Sequence, residues 1–262
     1  MNGSIFEPLV TAPGSAGVFL DFDGTLSEIV LVPSLARPLP EVPGLLNRLS
    51  HRFKLVAVVS GRAAGQLMEW LGAEVEIWGT HGAERAIDGR VELSEAVAPY
   101  EDLMRRAFTE ARTRMMQLDL EGTVLEDKRV VIGLHFRAAR EVDRAQRALD
   151  ELASQLAETY GLKRAGGRLA YELRPPVELS KAQVVLGRAR EADLRGVAFA
   201  GDDRVDLPGF DALDRLEADG VIAVRIGVRS DESPPELLER ADVVVEGPQG
   251  MVGLLEQLAA HD

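Results

Sequence analysis

The segment "GVFLDFDGTLSEI" (residues 17–29) runs from an apolar stretch directly into two aspartates, Asp21 and Asp23, which are followed by Gly-Thr. A compact apolar run of this kind predicts a strand that is covered on both faces, as in a parallel sheet. At the carboxyl end of such a strand the chain leaves the sheet, so both carboxylates can turn toward one crevice. Carboxylates crowded in this way require a cation or a shared proton. The segment therefore favours a functional strand end over an ordinary hairpin turn.

The composition excludes several classes of protein. The chain has 262 residues, 46% of them apolar, which is enough for one large domain or two smaller ones. Thirty basic and 43 acidic residues give a formal charge of −13, which disfavours nucleic acid and anionic membranes as partners. Because there is no cysteine, disulfides, thiolate nucleophiles and cysteine-ligated zinc are excluded. The sequence has neither an apolar run of about 20 residues nor a basic signal segment, so we expect a soluble, cytoplasmic protein.

Apolar runs alternate with helical periodicity at both ends of the chain, which predicts an open, doubly wound, Rossmann-like α/β sheet with parallel strands. The predicted strands are 17–22, 54–59, 196–201, 221–226 and 241–246. The predicted helices between them are 41–52, 61–72, 207–218 and 250–261.

The middle of the chain has a different pattern. Asp88-Gly89 predicts a hairpin turn, because this pair readily adopts the positive φ angles that such turns need. The elements predicted beyond it are a helix near 99–118, strands near 123–127 and 129–137, a helix near 140–160 and a strand near 168–174. We interpret 99–175 as a smaller α/β cap domain inserted into a catalytic core made of 1–98 and 176–262. The prolines of "RPP" (174–176) mark the return to that core.

Four segments deliver polar side chains to the strand ends of the predicted sheet. They contribute Asp21 and Asp23, Ser60 in "VVSGR", Lys181 in "ELSKAQ", and Asp202 and Asp203 in "GDDRVD". One carboxylate can attack phosphorus while a second transfers a proton. Carboxylates from two strand ends suit Mg²⁺, and an ammonium and a hydroxyl can hold phosphate oxygens. Taken alone, Ser60 is better explained as a helix cap and Lys181 as a solvated helix residue, so only the ordered set predicts phosphoryl transfer.

These four motifs resemble those of the haloacid dehalogenase superfamily of phosphatases. The resemblance implies that Asp21 is the nucleophile and Asp23 the general acid/base, with Ser60 and Lys181 completing the catalytic set. It also implies Mg²⁺ as the cofactor. The implied metal ligands are Asp21, Asp23 through its backbone carbonyl, Asp202, and Asp203 in a supporting or water-mediated position.

Period-2 spacing places polar side chains of the insert on one face of its strands. They are Glu126 and Lys128, His135 and Arg137, and Glu172 and Arg174. The other parity is apolar and predicts packing against helices. A polar sheet face suits a polyhydroxylated ligand, but an exposed sheet face is normally polar as well, and the pattern alone favours that second interpretation.

The order of "HGAE" (81–84), "EDK" (126–128), "HFR" (135–137), "YELRP" (171–175) and "GDDRVD" (201–206) resembles the trehalose-6-phosphate phosphatase family within that superfamily. The resemblance implies a small-molecule sugar phosphate as the substrate, and we expect a monomer. The implied substrate-binding residues are Gly61, Arg62, His81, Gly82, Glu126, Lys128, His135, Arg137 and Glu172. Taken singly, His81 and His135 are better explained as structural histidines, and Gly82 as a turn residue.

The chain departs from the family pattern in two motifs. Ala182 follows Lys181 where the family commonly has glycine, and Val205 and Leu207 stand where it commonly has threonine and glutamate. The lost polar groups are of the kind that orient metal ligands, although Asp202, Asp203 and Asp206 remain.

Two other functions stay open on the sequence. One is a related phosphatase acting on another phosphorylated glycoside, such as a sucrose, glucosylglycerol or mannosylglycerate phosphate. The other is a phospho-accepting signalling receiver, which also combines an aspartate pair, a Ser or Thr, a lysine and Mg²⁺. Receivers are shorter, lack an inserted domain and carry the phospho-acceptor on a later strand, so the phosphatase is favoured.

Overall fold

The computed structural model describes residues 5–30, 35–167, 169–231 and 233–260. The chain divides into two compact units, Met1–Glu92 with Leu179–Asp262, and Leu93–Glu178. The segment 99–175, which the sequence predicts as the insert, lies within the second unit. We call the first unit the core and the second unit the insert.

The strands and helices follow in chain order. The strands are β1 (Ala16–Leu20), β2 (Leu55–Val59), β3 (Glu76–Gly79), β4 (Glu84–Ile87), β5 (Arg90–Leu93), β6 (Val124–Asp127), β7 (Ile132–His135), β8 (Lys163–Gly167), β9 (Ala170–Arg174), β10 (Gly196–Gly201), β11 (Ile222–Arg229) and β12 (Val243–Glu246). The helices are α1 (Glu7–Thr11), α2 (Val42–Arg52), α3 (Ala64–Leu71), α4 (Glu101–Leu118), α5 (Val142–Tyr160), α6 (Lys181–Glu191), α7 (Leu207–Ala218), α8 (Pro235–Arg240) and α9 (Gly247–Ala259). Within the described ranges, none of these helices combines the length and the apolar character needed to cross a membrane.

The core is built on an eight-stranded sheet with the order β12-β11-β10-β1-β2-β3-β4-β5. Neighbouring strands from β12 to β3 are parallel, and β3 pairs with β4 in the antiparallel sense. The direction of strand succession reverses between β1 and β10, and ligands of open α/β sheets bind at the carboxyl ends of the strands beside such a switch point. Asp21 follows β1 directly and Asp202 follows β10. The predicted Rossmann-like core is confirmed, and its topology brings these two aspartates to one place.

Helices cover both faces of this sheet because its central strands are apolar on both faces. Every residue of β1, β2 and β10 is buried. Val18 and Leu20 pack into a hydrophobic core shared with α1, α2, α3 and α9. Phe19 points into a second core shared with α6, α7 and α8, in which Phe199 and Phe210 meet edge to face. The central strands are thus held rigidly, and the loops at their carboxyl ends start from fixed positions.

The insert contains an antiparallel sheet with the order β6-β7-β9-β8. Ile132, Leu134 and Leu173 are buried on the face where the sequence predicts apolar residues, and the helices α4 and α5 belong to the same unit. The register aligns Glu126 with Gly133 and Gly133 with Glu172, so these residues form one row across three strands. The predicted period-2 arrangement is therefore confirmed for Glu126 and Glu172, whereas Lys128 and Arg137 lie beyond the ends of β6 and β7.

Two strands are not predicted from the sequence. The strand β3 has only four residues, including a charged one, and β8 ("KRAGG") combines charges with glycines that are depleted in strands. The strand predicted at 129–137 is shorter than expected, since β7 spans Ile132–His135. Arg137 consequently lies beyond the end of β7 and is exposed.

A network of charged side chains ties α6 to the sheet. Glu76 on β3 accepts hydrogen bonds from Arg188 on α6 at 2.9 and 2.5 Å and from Arg85 on β4 at 3.2 Å. The side chains of Glu76 and Arg188 are only 10% and 12% exposed. The indole nitrogen of Trp78 donates a further hydrogen bond to Glu76 at 3.3 Å. Because α6 begins at Lys181, this network also fixes the helix that carries the predicted catalytic lysine.

Replacing Glu76 tests how much this network stabilises the core. Glu76→Ala leaves two guanidinium groups without their shared partner, so we expect the free energy of unfolding to fall by about 3–5 kcal/mol. The matched control is Glu246→Ala, which removes an exposed ion pair with Arg229 and should cost at most about 1 kcal/mol. Urea denaturation of both variants measures the difference. Equal, small losses would show that the network contributes no more than a surface pair.

Candidate active site

Lys181 is the buried cation around which the candidate site is arranged. It is the first residue of α6, whose N-cap Ser180 accepts a hydrogen bond from the backbone N–H of Gln183. Its side chain is 2% exposed, and its Nζ donates to Oδ1 of Asp206 at 2.5 Å and to Oδ1 of Asp21. Lys181 thereby joins the loops that follow β1 and β10.

Asp206 fixes the loop that follows β10. It is fully buried, and its Oδ2 accepts the backbone N–H groups of Asp202 at 3.0 Å and Asp203 at 3.1 Å, while Oδ1 accepts Lys181. A Cβ atom at Gly201 would lie within 2.6 Å of three Asp206 side-chain atoms, so glycine is required for this close approach. Asp206 therefore orients both the lysine and the loop that carries Asp202.

Three buried carboxylates meet at this point. Asp21, Asp202 and Asp206 each offer one oxygen, and these oxygens lie within 4.8 Å of one another. Burial, followed by the charge of Asp206, raises the pKa of Asp21 to about 7 although Lys181 acts in the opposite direction. Burial, followed by the charge of Asp21, raises the pKa of Asp202 to about 8. For Lys181, burial acts to lower the pKa, but the charges of Asp206 and Asp21 outweigh it and raise the pKa.

The cluster fits a divalent cation with hard oxygen ligands. Three carboxylates around one ammonium leave excess negative charge in a buried place, and burial together with this charge raises the pKa values of Asp21 and Asp202. Gly24 provides the room for Asp202, since its φ is +76° and a Cβ atom there would lie 2.0 Å from Oδ2 of Asp202. Mg²⁺ prefers carboxylate oxygens, usually one or two from the protein, and so matches this donor set.

Asp23 and Asp203 lie outside this cluster of carboxylates. Both oxygens of Asp23 accept hydrogen bonds from Arg62, with Nε to Oδ2 at 2.8 Å and Nη2 to Oδ1 at 2.7 Å. Oδ1 of Asp203 accepts the backbone N–H of Arg204 at 2.5 Å, and the residue is exposed. The side chains of Asp23 and Asp203 therefore lie in different surroundings from those of the buried aspartates.

The loop after β2 and the loop after β3 are bonded to each other. Ser60 is buried, its Oγ accepts the backbone N–H of Arg62 at 3.2 Å, and its carbonyl oxygen accepts the N–H of His81 at 2.9 Å. A Cβ atom at Gly61 would lie 2.9 Å from the ring of His81, so the imidazole packs directly on this glycine. The structure therefore brings Ser60, Gly61, Arg62 and His81 together in the core.

The backbone of the second loop is strained. Thr80, His81 and Gly82 have φ angles of 50°, 59° and 96°, and a left-handed conformation is unusual for a β-branched residue such as Thr80. Buried Glu84 supports the turn because its Oε2 accepts the Thr80 hydroxyl at 3.2 Å and the backbone N–H of Ala64 at 2.9 Å. Glu84 thereby binds the first turn of α3 to the strained loop.

The polar residues of the insert form a connected chain, which we call the polar plate. Nε2 of His135 lies 2.8 Å from Oε2 of Glu126, and Nζ of Lys128 lies 3.5 Å from both Glu126 and Glu172. Arg174 pairs with Glu172. The hydrogen bond from His135 lowers the pKa of Glu126 despite an opposing effect of burial, and Lys128 lowers it further.

Residues 19–238 match the family model described as Trehalose-phosphatase. The chain belongs to the trehalose-phosphatase family. A trehalose-phosphate phosphatase of Mycobacterium marinum is 33% identical over 235 residues, which are 85% of this chain and 56% of that protein. The chain spans about half the length of the curated relatives it matches.

Two solved structures support the fold of this family member. A crystal structure of a trehalose-6-phosphate phosphatase related protein has a TM-score of 0.75 at 23% identity and covers 93% of this chain and 96% of its own. A haloacid dehalogenase-like hydrolase from Bacteroides thetaiotaomicron has a TM-score of 0.64 at 14% identity, covering 93% and 99%. The resemblance to the trehalose-6-phosphate phosphatase family is confirmed by the family match, and the two solved structures show that the fold is shared.

Three site features of this trehalose-phosphatase family member were not predicted. The sequence marks Asp206 only as a remaining carboxylate, and the available signal is its position four residues after Asp202, at a helix start. The support that Glu84 gives to the strained loop had no signal beyond its place in "HGAE". The pairing of Arg62 with Asp23 joins residues 39 positions apart and had no local signal.

The raised pKa values predict an unusual pH dependence of stability for this family member without metal. Asp21 and Asp202 have pKa values of about 7 and about 8 in the folded state against 3.8 ordinarily. Between the ordinary and the raised pKa of each group, the folded state therefore binds more protons than the unfolded state. Their contribution is therefore fully present below about pH 4 and is lost as the pH rises through about 7 to 8. In EDTA, the free energy of unfolding of the wild type should fall across this window relative to Asp202→Asn, by up to about 1.4 kcal/mol per pH unit for each proton.

Urea denaturation at several pH values measures this difference between the two proteins. Added Mg²⁺ should stabilise the wild type more at pH 8 than at pH 5, because the metal competes with protons for the same oxygens. A difference between wild type and variant that is independent of pH would contradict the charge crowding inferred for the cluster.

Proposed function

We propose that the chain is a Mg²⁺-dependent phosphatase that converts trehalose 6-phosphate to trehalose and phosphate. The observation that carries this proposal is the buried Lys181–Asp21 pair beside Asp202 in a member of the trehalose-phosphatase family. An ionised carboxylate held at a strand end by a buried ammonium is a nucleophile with a fixed direction of attack.

In this proposal Asp21, Asp202 and the backbone carbonyl of Asp23 hold the metal, and Asp203 contributes through water. Asp206 already accepts three hydrogen bonds from Lys181, Asp202 and Asp203, so we assign it to orienting those groups. When bound, Mg²⁺ supplies positive charge that offsets the negative charge of the phosphate and of the nucleophile.

The reaction divides into two transfers of the phosphoryl group. A carboxylate oxygen of Asp21 attacks phosphorus, the bond to the sugar oxygen breaks, and Asp23 gives that oxygen a proton. Asp23 then takes a proton from a water molecule, whose oxygen attacks the aspartyl phosphate, releases phosphate and restores Asp21. Lys181 keeps Asp21 in place, and Ser60 with the backbone of Gly61 binds phosphate oxygens.

Replacing the nucleophile tests this mechanism. Asp21→Asn should lower phosphate release from trehalose 6-phosphate by roughly 10⁴-fold or more, because no phosphoenzyme can form. Circular dichroism should show a retained fold. The control is Asp88→Asn, which changes an exposed aspartate in the β4–β5 turn and should keep full activity.

Two further measurements complete this test. EDTA should abolish turnover by the wild type and added Mg²⁺ should restore it. A panel containing trehalose 6-phosphate and sucrose, glucosylglycerol and mannosylglycerate phosphates identifies the preferred substrate. Full activity of Asp21→Asn would reject the mechanism, whereas preference for another glycoside would keep the mechanism and reject the substrate.

The polar plate is proposed to recognise the sugar. Lys128 lies 3.5 Å from both Glu126 and Glu172, which carry the opposite charge, so these side chains are held in place before a ligand binds. Ordered carboxylates and an ammonium are suitable hydrogen-bond partners for sugar hydroxyls. His135 orients Glu126 through the hydrogen bond at 2.8 Å, and His81, Gly82, Arg62 and Arg137 complete the proposed substrate-binding set.

All proposed residues come from one chain, so a monomer suffices for this chemistry. A sugar phosphate is charged and does not cross a lipid bilayer, and the enzyme has to meet it where it is made. A cytoplasmic location is therefore part of the proposal.

Truncating the plate carboxylates tests sugar recognition. Losing one charged hydrogen bond to a buried hydroxyl costs about 1.5–3 kcal/mol, which is roughly 10- to 150-fold in kcat/KM. Glu126→Ala and Glu172→Ala should show this loss on trehalose 6-phosphate and almost none on p-nitrophenyl phosphate, which lacks the sugar. Glu121→Ala is the control, because Glu121 is an exposed residue of the insert paired with Arg140. Parallel losses on both substrates would assign the two carboxylates to the fold.

A further inference from the structure

Arg62 and Asp23 form a two-point ion pair in the core. Nε and Nη2 of the guanidinium reach Oδ2 and Oδ1 of the carboxylate at 2.8 and 2.7 Å. Such a fork fixes the plane of the carboxylate and leaves further lone pairs on both oxygens. The direction in which Asp23 presents an oxygen therefore depends on what holds Arg62.

Two aromatic rings form the surroundings of the Arg62 guanidinium. Its Cζ lies 5.5 Å from the ring centroid of Phe22 and 5.6 Å from that of Trp70, and the two rings are 5.6 Å apart. Both distances are within the range of cation–π attraction. The side chain of Arg62 is only 12% exposed, so the guanidinium is largely withdrawn from water.

The two rings have different origins in the chain. Phe22 is fully buried and lies between Asp21 and Asp23 in the sequence, so one of the two rings belongs to the strand end itself. Trp70 lies on α3, and its half-buried ring packs against the hydrophobic core that contains Phe22. The guanidinium of Arg37 also lies over the Trp70 ring, at 4.8 Å, and restrains the indole further. Trp70 is therefore the ring to replace in an experiment, since it can be changed without altering the strand end.

We propose that Trp70 is a positioning residue for phosphoryl transfer. It holds Arg62 in the orientation that aims Asp23 at the leaving oxygen of the substrate. This inference rests on the proposed function, in which Asp23 protonates that oxygen. In this inference Arg62 orients Asp23, and Trp70 has a role that no sequence motif indicates.

The leaving group separates this role from a structural one. A sugar alkoxide must be protonated as it departs, whereas p-nitrophenolate departs without a proton. The ratio kcat/KM reports only the steps through departure of the leaving group, so later hydrolysis of the phosphoenzyme does not affect it. Misdirecting Asp23 should therefore lower kcat/KM for trehalose 6-phosphate and spare p-nitrophenyl phosphate.

The central variant is Trp70→Leu, which removes the ring and keeps an apolar side chain. We expect kcat/KM for trehalose 6-phosphate to fall roughly 2- to 30-fold, the factor that corresponds to a lost cation–π contact, with less than about a two-fold change for p-nitrophenyl phosphate. Trp70→Phe keeps an aromatic face and should retain most of the activity. Arg62→Lys keeps the charge but not the fork, so it should show the same selective loss, as should Asp23→Asn to a greater degree.

Trp78 supplies a matched control because it is the second of the two tryptophans in the chain. It is half-buried in the core and lies under the guanidinium of Arg85 at 5.3 Å, but Arg85 pairs with Glu76 and not with Asp23. Trp78→Leu should lower the free energy of unfolding without changing the ratio of kcat/KM for the two substrates. Urea denaturation of each variant shows that the folded protein is being assayed.

The outcomes decide between the two roles of Trp70. A selective loss in Trp70→Leu that Trp70→Phe largely avoids supports the proposal. Equal losses on both substrates, or no loss on either, would overturn it. If the wild type does not hydrolyse trehalose 6-phosphate, the substrate assignment fails separately and aryl phosphates with leaving groups of increasing pKa replace it. A steeper dependence on leaving-group pKa in Trp70→Leu than in wild type then supports the proposal, and an unchanged dependence overturns it.

Discussion

The buried ammonium of Lys181 connects segments that are far apart in the sequence. Its partners Asp21 and Asp206 lie 160 and 25 residues away along the chain. Asp206 passes this constraint to the backbone of Asp202 and Asp203, and the Arg188–Glu76 pair fixes the helix that presents the lysine. A buried charge has to be compensated at short range, so the sheet, the loops and α6 are all held to the positions that satisfy Lys181.

The parts of this arrangement that could be predicted are those with a local signal. An apolar run that ends in Asp21 and another that ends before Asp202 identify two buried strands and their carboxyl ends. The rule that parallel strands place these ends at one edge then brings the aspartates together without knowledge of the fold in detail. Period-2 spacing similarly located Glu126 and Glu172 on one face of the insert, because alternation is a property of each strand by itself.

The remainder depends on contacts between segments that share no local pattern. The burial of Asp206, the fork from Arg62 to Asp23 and the left-handed backbone of Thr80 exist only because neighbouring loops impose them. The strand β8 forms because β9 offers it a ladder of hydrogen bonds, and its own residues would not select an extended chain. Residue preferences cannot report such partners, which is why the resemblance to known motifs supplied roles that periodicity alone did not.

The strand order of the core also governs the order in which this chain acquires structure. The central strand β1 lies between β2 and β10, and its residue Ala16 pairs with Gly196. The whole insert lies between β1 and β10 in the sequence and is synthesised before β10. Its own strands pair with one another in antiparallel register. Local pairing is fast and distant pairing is slow, so the insert folds while one apolar edge of β1 still lacks its neighbour. Until β10 emerges, β1 has an unpaired apolar edge of the kind that promotes aggregation of nascent chains.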